Sequence, residues 1–412
     1  MTGTIAAGKV RGLAPTTHFF HPRFAGSCDV AMALVSHETY AEKVNELVCL
    51  DMANGPQLVD RIKKAWDEGD AIFPIDQRLP DVAKKSLVAD MAPTIIFHSS
   101  GETSYPGRAV EAGDAVVVAT SGTTGTSKGV VLTMQAVIAS AQATSDRLGV
   151  SPDDCWLACL PPAHVGGLSV ILRSLIMNTK LIAVPTFTVE AFNEAATKGA
   201  TLVSLVATAL QRIDASRYRT IVLGGARPPE NRPANCIATY GLTETGSGIV
   251  YDGLALNDVE IQIRDSIVYV RGPMLLRAYR DGTTPLETDG WLRTGDRGSI
   301  SDTGVLSIEG REGDLIISGG ENVWPEVVEK SLRSHPNIDD VCVAGVPDPT
   351  WGHAVHAWIV ITPGSAVSLE EIRDHVKETL PAHCAPQRIH VIAEVPRTAL
   401  GKPQRNLLVE MA

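Results

Sequence analysis

The residues best suited to chemistry begin in the run Thr120-Ser121-Gly122-Thr123-Thr124-Gly125-Thr126-Ser127-Lys128-Gly129. Its three glycines let backbone N–H groups turn toward a ligand. Its hydroxyls add donors, and Lys128 adds one positive charge. Together these make a cradle for a polyphosphate. The Walker pattern is not met, because Ser127 stands where glycine must precede the lysine and Gly129 stands where Ser or Thr should follow. A P-loop kinase or ATPase is therefore disfavoured. A flexible, hydroxyl-rich surface loop is the plain alternative. The strand-like run Val116-Val117-Val118 before the loop, a helix expected after it and the embedded lysine weigh against that alternative.

Further groups follow along the chain. In Tyr240-Gly241-Leu242-Thr243-Glu244 a tyrosine ring can stack on a purine, a threonine hydroxyl can meet a phosphate, and Glu244 is a hard oxygen ligand suited to Mg2+ on a triphosphate. In Trp291-Leu292-Arg293-Thr294-Gly295-Asp296 one carboxylate can accept both hydroxyls of a ribose. Taken singly, Tyr240 reads as an ordinary half-buried tyrosine, Asp296 as a turn residue and Lys402 as a solvated lysine near the C-terminus.

The elements that must position these groups alternate. Met134 to Leu148 has apolar residues at helical spacing with Gly149 after it. Leu181 to Val184, Thr201 to Val206 and Thr220 to Leu223 are short strand candidates separated by segments long enough for crossover helices. The pattern predicts an α/β fold with layered, mostly parallel sheets. After Tyr251 the texture changes. Val259 to Ile263, Ile267 to Val270 and Val305 to Ile308 predict a small β-rich subdomain. A second change falls at Gly310-Arg311-Glu312-Gly313-Asp314, and spacing leaves a rotating linker and a tight turn equally open. Beyond it, helices over Pro325 to Ser334 and Leu369 to Glu378 and strands over Val341 to Val346, Val355 to Ile361 and Arg388 to Ile392 predict a compact α+β domain. The expected division is 1–311 and 312–412.

The bulk composition narrows the function. The chain has 412 residues, 44% hydrophobic and 20% charged, with a net charge of −11. It is long enough for two or three domains and too acidic for a nucleic-acid or anionic-membrane partner, so any anion must be held locally. No apolar run of signal-peptide length follows Lys9 and Arg11, and no stretch of about 18 apolar residues predicts a membrane span. Cys28, Cys49, Cys155, Cys159, Cys236, Cys342 and Cys384 are scattered, with neither Cys-x-x-Cys nor zinc spacing. Reduced, buried thiols in a cytoplasmic protein are expected.

In their order, the motifs resemble the adenylate-forming superfamily of acyl-CoA synthetases, peptide-synthetase adenylation domains and firefly-type luciferases. The decapeptide is similar to its signature loop, with Ser127 where proline usually precedes the lysine. The resemblance implies a carboxylic acid, ATP and coenzyme A as substrates and Mg2+ as cofactor. It gives Thr120, Ser121, Gly122, Thr123, Thr124, Gly125 and Lys128 to the phosphates. Gly225 and Ala226 wall an adenine slot, Tyr240 and Gly241 lie against the base, and Asp296 and Arg311 meet the ribose. Thr243 and Glu244 act at the phosphates, with Glu244 on Mg2+, and Lys402 meets the α-phosphate and the carboxylate. Gly319, Gly320 and Glu321 line the tunnel to the thiol. The resemblance also implies a mobile C-terminal lid domain that rotates between two half-reactions, with the pivot at Gly313 or Asp314.

The phosphate loop arrives by residue 120, which implies a shortened N-terminal region. Within the superfamily, Leu160 to Leu168, Thr201 to Thr208 and Thr239 to Gly253 resemble the short o-succinylbenzoate–CoA ligases of menaquinone synthesis. By that resemblance His164, Gly166, Gly167, Ser204 and Gly246 border the acyl pocket. Arg173 either pairs with the substrate's second carboxylate or faces solvent or a neighbouring acid, and the latter is favoured. Another aromatic or fatty acid as substrate, and a free-standing adenylation enzyme loading a carrier protein, remain alternatives. No fused carrier is expected after Ala412. A non-catalytic binder is disfavoured because Glu244 and Lys402 are both present. Homodimerisation is left open.

Overall fold

The computed structural model describes residues 45–121, 127–225, 229, 231–398 and 402–412. Two seven-stranded sheets form its larger part. The first runs in the order Ala278–Tyr279, Ser127–Thr133, Asp114–Ser121, Ala71–Pro74, Leu47–Asp51, Ile95–His98, Gly101–Ser104. Its four central strands are parallel. Leu47 to Leu50, Ala71 to Phe73 and Ala115 to Val117 are fully buried, as continuous apolar strands covered on both faces should be. The second sheet runs Leu254–Ala255, Val250–Tyr251, Cys236–Tyr240, Thr220–Gly224, Leu202–Val206, Cys155–Ala158, Lys180–Ala183, and its last five strands are parallel.

Helices Met134–Leu148 and Val165–Met177 pack on each other, the first against the Asp114–Ser121 and Ser127–Thr133 strands, the second against the second sheet. The Thr133 hydroxyl caps the first helix by accepting from Ala136 N–H at 3.1 Å, and Gly149, at φ 56°, ends it. The α/β layering expected from the sequence is therefore present. So is the β-rich part, a four-stranded antiparallel sheet in the order Glu260–Arg264, Ile267–Arg271, Leu292–Ile300, Leu306–Arg311.

From Ile316 onward the buried residues form clusters of their own. Strands Ile316–Ser318, Glu321–Val323, Ile338–Asp348, Gly352–Ile361 and Arg388–Val391 make one sheet. Val328, Leu332, Ile372 and Val376 of helices Pro325–Arg333 and Leu369–Thr379 share a cluster with Val341, Val343 and Ile359. Leu408 of the last helix, Arg405–Glu410, packs with Cys342, Ala344, Trp358 and Val395.

Two expectations are corrected. An unexpected strand, Ser127–Thr133, separates the glycine loop from the helix expected and found at Met134–Leu148, and it pairs antiparallel with Asp114–Ser121 so that Thr120 faces Lys128. Val130, Val131 and Leu132 are buried, and a β-branched run of this kind favours the pleated sheet until Thr133 caps the helix. The segment Leu292–Ile300, read only as a turn motif around Asp296, is a nine-residue strand. Its glycines hid the pattern, yet Gly298 is required there, since a Cβ would lie 2.5 Å from the Ser307 carbonyl oxygen. At 310–314 the chain passes from strand Leu306–Arg311 into a single 3-10 turn, Glu312–Asp314.

His356, buried in strand Gly352–Ile361, shares a 3.0 Å hydrogen bond between its Nδ1 and His390 Nε2. Burial above all, then the neighbouring His390 and Arg388, pushes His356 down to about 4 from an ordinary 6.5. Because the folded value lies below the unfolded one, the unfolded chain takes up the proton first as pH falls from 6.5 to 4. Wild type should therefore lose more stability than His356→Phe over that window, by about 1–3 kcal/mol in urea-midpoint measurements.

Candidate active site

The glycine-loop hairpin brings Lys128 under its own strand pairing. Thr120 and Lys128 are opposite, and the Thr120 hydroxyl donates to the Lys128 carbonyl at 3.4 Å. Gly122, Thr123, Thr124 and Gly125, as well as Ala226, lie outside the described residues, and of Ser121 only the backbone is described. The Lys128 ammonium sits 4.8 Å from the centre of the Tyr279 ring. Tyr279 O–H in turn donates to Glu244 Oε1 at 3.0 Å. Burial, then the Glu244 carboxylate, pushes the Tyr279 phenol well above its ordinary range, so it stays a proton donor. Tyr279 was not found from the sequence. It sits in a two-residue strand, Ala278–Tyr279, that joins the first sheet beside Val130 and Val131 and carries no motif.

A second group gathers at the carboxyl ends of the second sheet. Gly224 and Tyr240 close the parallel strands Thr220–Gly224 and Cys236–Tyr240, and Gly225 follows at φ 84°. Gly241 cannot carry a side chain, as a Cβ would lie 2.3 Å from the Ser247 carbonyl oxygen. Thr243 and Glu244 begin a single 3-10 turn. Tyr240 O–H donates to Asp296 Oδ2 at 2.7 Å. On the other side Arg311 Nε stands 3.6 Å from Asp296 Oδ1, because Asp296 and Arg311 pair in register across adjacent strands. Burial raises Asp296 above the ordinary carboxylate range, and Arg311, the Tyr240 hydrogen bond and Lys402 oppose that rise.

Lys402 belongs to the C-terminal part of the chain, yet its charge is felt at this cluster. The residue is exposed overall, but surrounding protein atoms desolvate its ammonium and push it below the ordinary lysine range. Arg311 pushes in the same direction, while Asp296, Glu244 and Asp314 pull it back up. The structure thus brings together Lys128, Tyr240, Glu244, Asp296, Arg311 and Lys402 from five segments of the sequence.

Other expected residues lie elsewhere. Gly319 and Gly320, at φ 60° and 86°, form with Glu321 an exposed turn between strands Ile316–Ser318 and Glu321–Val323, packed on Trp351. Gly313 and Asp314 sit in the 3-10 turn after Arg311, with open space around Gly313. His164 precedes helix Val165–Met177, with its Nε2 3.5 Å from Asp76 Oδ2. Burial pushes its imidazole below 6.5 against the pull of Asp76. Gly166 opens that helix, Gly167 is wedged against the Leu160 and Pro161 carbonyls, and Ser204 is buried in Leu202–Val206.

Gly246 alone of the expected acyl residues lines the cavity between helices Met134–Leu148 and Val165–Met177, beside Leu132, Ser140, Leu172, Arg173 and Met274. Arg173 does not face solvent. It is 3% exposed, its guanidinium lies 4.9 Å from the centre of the Trp156 ring, and its Nε and Nη1 have no hydrogen-bond partner. Among the described residues no carboxylate pairs with it, and burial lowers its pKa. A buried, unpaired cation in an apolar cavity is costly unless an anion joins it.

Among the described residues no group of three or more His, Cys, Asp or Glu could hold a metal ion. Glu244 offers a single carboxylate with one oxygen bonded to Tyr279. That suits Mg2+, which is commonly held by one or two carboxylates together with substrate phosphates.

The fold and this chemistry define an acid–thiol ligase of the AMP-forming kind. The chain belongs to the AMP-binding enzyme family: the family model matches residues 27–282, and that of the AMP-binding enzyme C-terminal domain matches 327–402. It is 34% identical over 336 residues to a 2-succinylbenzoate–CoA ligase of Bacillus cytotoxicus, covering 72% of this chain and 69% of that one. A solved o-succinylbenzoate CoA synthetase of Bacillus subtilis, in complex with its acyl-adenylate intermediate, is 28% identical and superposes with a TM-score of 0.77 over 89% of this chain and 88% of its own. ATP-bound MatB from Rhodopseudomonas palustris, 21% identical, shares the fold with a TM-score of 0.79 over 90% and 89% of the two chains.

The hairpin's packing can be tested directly. At Gly129 a Cβ would lie 2.6 Å from Met91 Sδ and 2.8 Å from Arg280 Cβ, whereas at Gly313 it would meet nothing within 4 Å. Gly129→Ala should destabilise the protein by about 1–3 kcal/mol through overpacking, and Gly313→Ala should leave the melting temperature unchanged, both read by thermal denaturation.

Proposed function

We propose that this ligase joins o-succinylbenzoate to coenzyme A. A carboxylate oxygen of the acid attacks the α-phosphorus of ATP, forming the acyl-adenylate as pyrophosphate leaves. The thiol sulfur of coenzyme A then attacks the acyl carbon, the bond to AMP breaks and the thiol proton is released. The observation that carries the substrate class is Arg173, a buried guanidinium beside Gly246 whose Nε and Nη1 have no hydrogen-bond partner. It answers the second carboxylate of a dicarboxylic acid, which an apolar pocket by itself would exclude. The relatives named as 2-succinylbenzoate–CoA ligases support the same substrate.

The remaining groups take roles that fit their chemistry. Backbone N–H groups of the glycine-rich run and Lys128 cradle the phosphates. Tyr240 and Gly225 flank the base, and Asp296 and Arg311 take the ribose hydroxyls. Mg2+ on Glu244 would neutralise triphosphate charge. Lys402 stabilises the negative charge that builds as one anion attacks another, and losing such a group typically costs ~10²–10³ in rate. The turn at Gly319, Gly320 and Glu321 serves the thiol after the C-terminal part turns about Gly313 and Asp314. Two observations support an adenylate-forming arrangement here: Lys402 is electrostatically coupled to Asp296 and Glu244, and the Bacillus subtilis enzyme matches with a TM-score of 0.77 when it holds the adenylate but 0.60 as a double mutant holding a product analogue. Buried free thiols among the described residues, and the lack there of any helix long and apolar enough to cross a membrane, fit a cytoplasmic site of action.

The deciding assay is pyrophosphate release with MgATP and a panel of acids, with and without coenzyme A, the products identified by mass. Release with o-succinylbenzoate and formation of its CoA thioester is expected. Adenylate without thioester would move the acceptor to a carrier protein, and thioester from a different acid would overturn the substrate. Arg173→Met should lower kcat/KM for o-succinylbenzoate by ~10²-fold or more while sparing an aromatic acid with one carboxylate; equal effects on both would remove Arg173 from substrate binding.

A further inference from the structure

Lys402 reaches the site on a loop whose two feet are both held by guanidinium groups. Arg397 Nη2 donates to both carboxylate oxygens of Asp340 at 2.8 Å. Arg397 and Pro403 form a β-bridge. Thr398 N–H donates to the Lys402 carbonyl at 2.8 Å, and Lys402 N–H returns to the Thr398 hydroxyl at 3.2 Å. The second foot is Arg405. Its Nε donates to the Val343 carbonyl at 3.0 Å, its Nη1 to Asp314 at 3.1 Å, and its Nη2 to Glu326 at 3.0 Å and Glu329 at 2.8 Å.

These partners come from three elements besides Arg405's own: strand Ile338–Asp348, helix Pro325–Arg333 and the 3-10 turn Glu312–Asp314. One planar group, 16% exposed at its side chain, therefore ties the Lys402 loop to the turn that follows Arg311. Burial raises Glu326 to about 7, so near neutral pH its carboxyl is partly neutral and less negative charge crowds around Arg405. The helix that starts at Arg405 has only six residues and cannot hold the loop by its own hydrogen bonds. A lysine side chain is flexible, so its reach is set by where the backbone frame stands.

We infer that Arg405 is a positioning residue for Lys402: it fixes the foot of the Lys402 loop to Asp314, so that the ammonium and the pivot turn move as one piece. The inference rests on Lys402 serving the adenylate-forming step. A misplacement of about 1 Å at such a group costs on the order of 10²-fold. Lysine in place of Arg405 keeps the charge but cannot span Val343, Asp314 and the helix carboxylates together.

The test separates the half-reactions in the full-length enzyme. Acid-dependent ATP–pyrophosphate exchange reads adenylate formation, and supplied acyl-adenylate with coenzyme A reads thioester formation. Arg405→Met should slow exchange by about 10- to 100-fold with the KM for ATP held within about twofold, leave the thioester step nearly unchanged, and be partly rescued in Arg405→Lys. Asp314→Asn, which keeps the side-chain shape, should slow exchange in the same direction but less, and it decides the matter if Arg405→Met does not fold. Lys402→Ala combined with Asp314→Asn should exchange no more slowly than Lys402→Ala alone. Multiplying losses in that pair, or normal exchange in folded Arg405→Met and Asp314→Asn, would overturn the positioning role. Normal exchange in Lys402→Ala itself would instead overturn the role of Lys402 on which the inference stands.

Discussion

The Asp296 carboxylate is buried, and burial alone would favour its neutral form. The Tyr240 hydroxyl, the Arg311 guanidinium and the Lys402 ammonium act against that effect and favour the charged form. Tyr240 ends a strand of the second sheet, Arg311 ends a strand of the antiparallel sheet, and Lys402 belongs to the C-terminal loop. One desolvated acid thus makes three separately built parts of the molecule interdependent, and moving any of them changes the charge balance at the centre.

The surrounding scaffold explains how an acidic chain of net charge −11 offers a site for anions. The cations are few and placed. Lys128 is set by the register of a hairpin and lies against the Tyr279 ring. Arg173 is held away from water in a cavity between two helices. Arg405 is consumed in binding the carboxylates of Asp314, Glu326 and Glu329 and so adds geometry, not charge, to the centre. Positive charge acts here through position and desolvation, where an interaction is worth more than at the solvent-exposed surface.

Much of the fold was legible because its strands are short, apolar and bounded by turn residues. Helix Met134–Leu148 follows from its apolar spacing and from Gly149. The two misjudged elements failed for one reason: glycines broke the two-residue period. Lys128 and Gly129 sit in strand Ser127–Thr133, and Gly295 and Gly298 sit in Leu292–Ile300; a Cβ would collide with the Met91 and Arg280 side chains at Gly129 and with the Ser307 backbone at Gly298. Local pattern cannot distinguish a glycine kept for a turn from one kept for close approach.

The sequence by itself determined the chemistry available: which residue types occur, in which order, and that Tyr240, Glu244, Asp296 and Lys402 can serve a nucleotide and an anion. Only the tertiary structure decided which of them meet. Tyr279 joins Glu244 and Lys128 through a two-residue edge strand that no motif announces. Arg173, for which an exposed or acid-paired place was favoured, proved to be buried against Trp156, with no hydrogen-bond partner for its Nε and Nη1. Burial, partner distance and the resulting shifts in charge depend on residues far apart in the chain, and those are fixed by packing, not by sequence spacing.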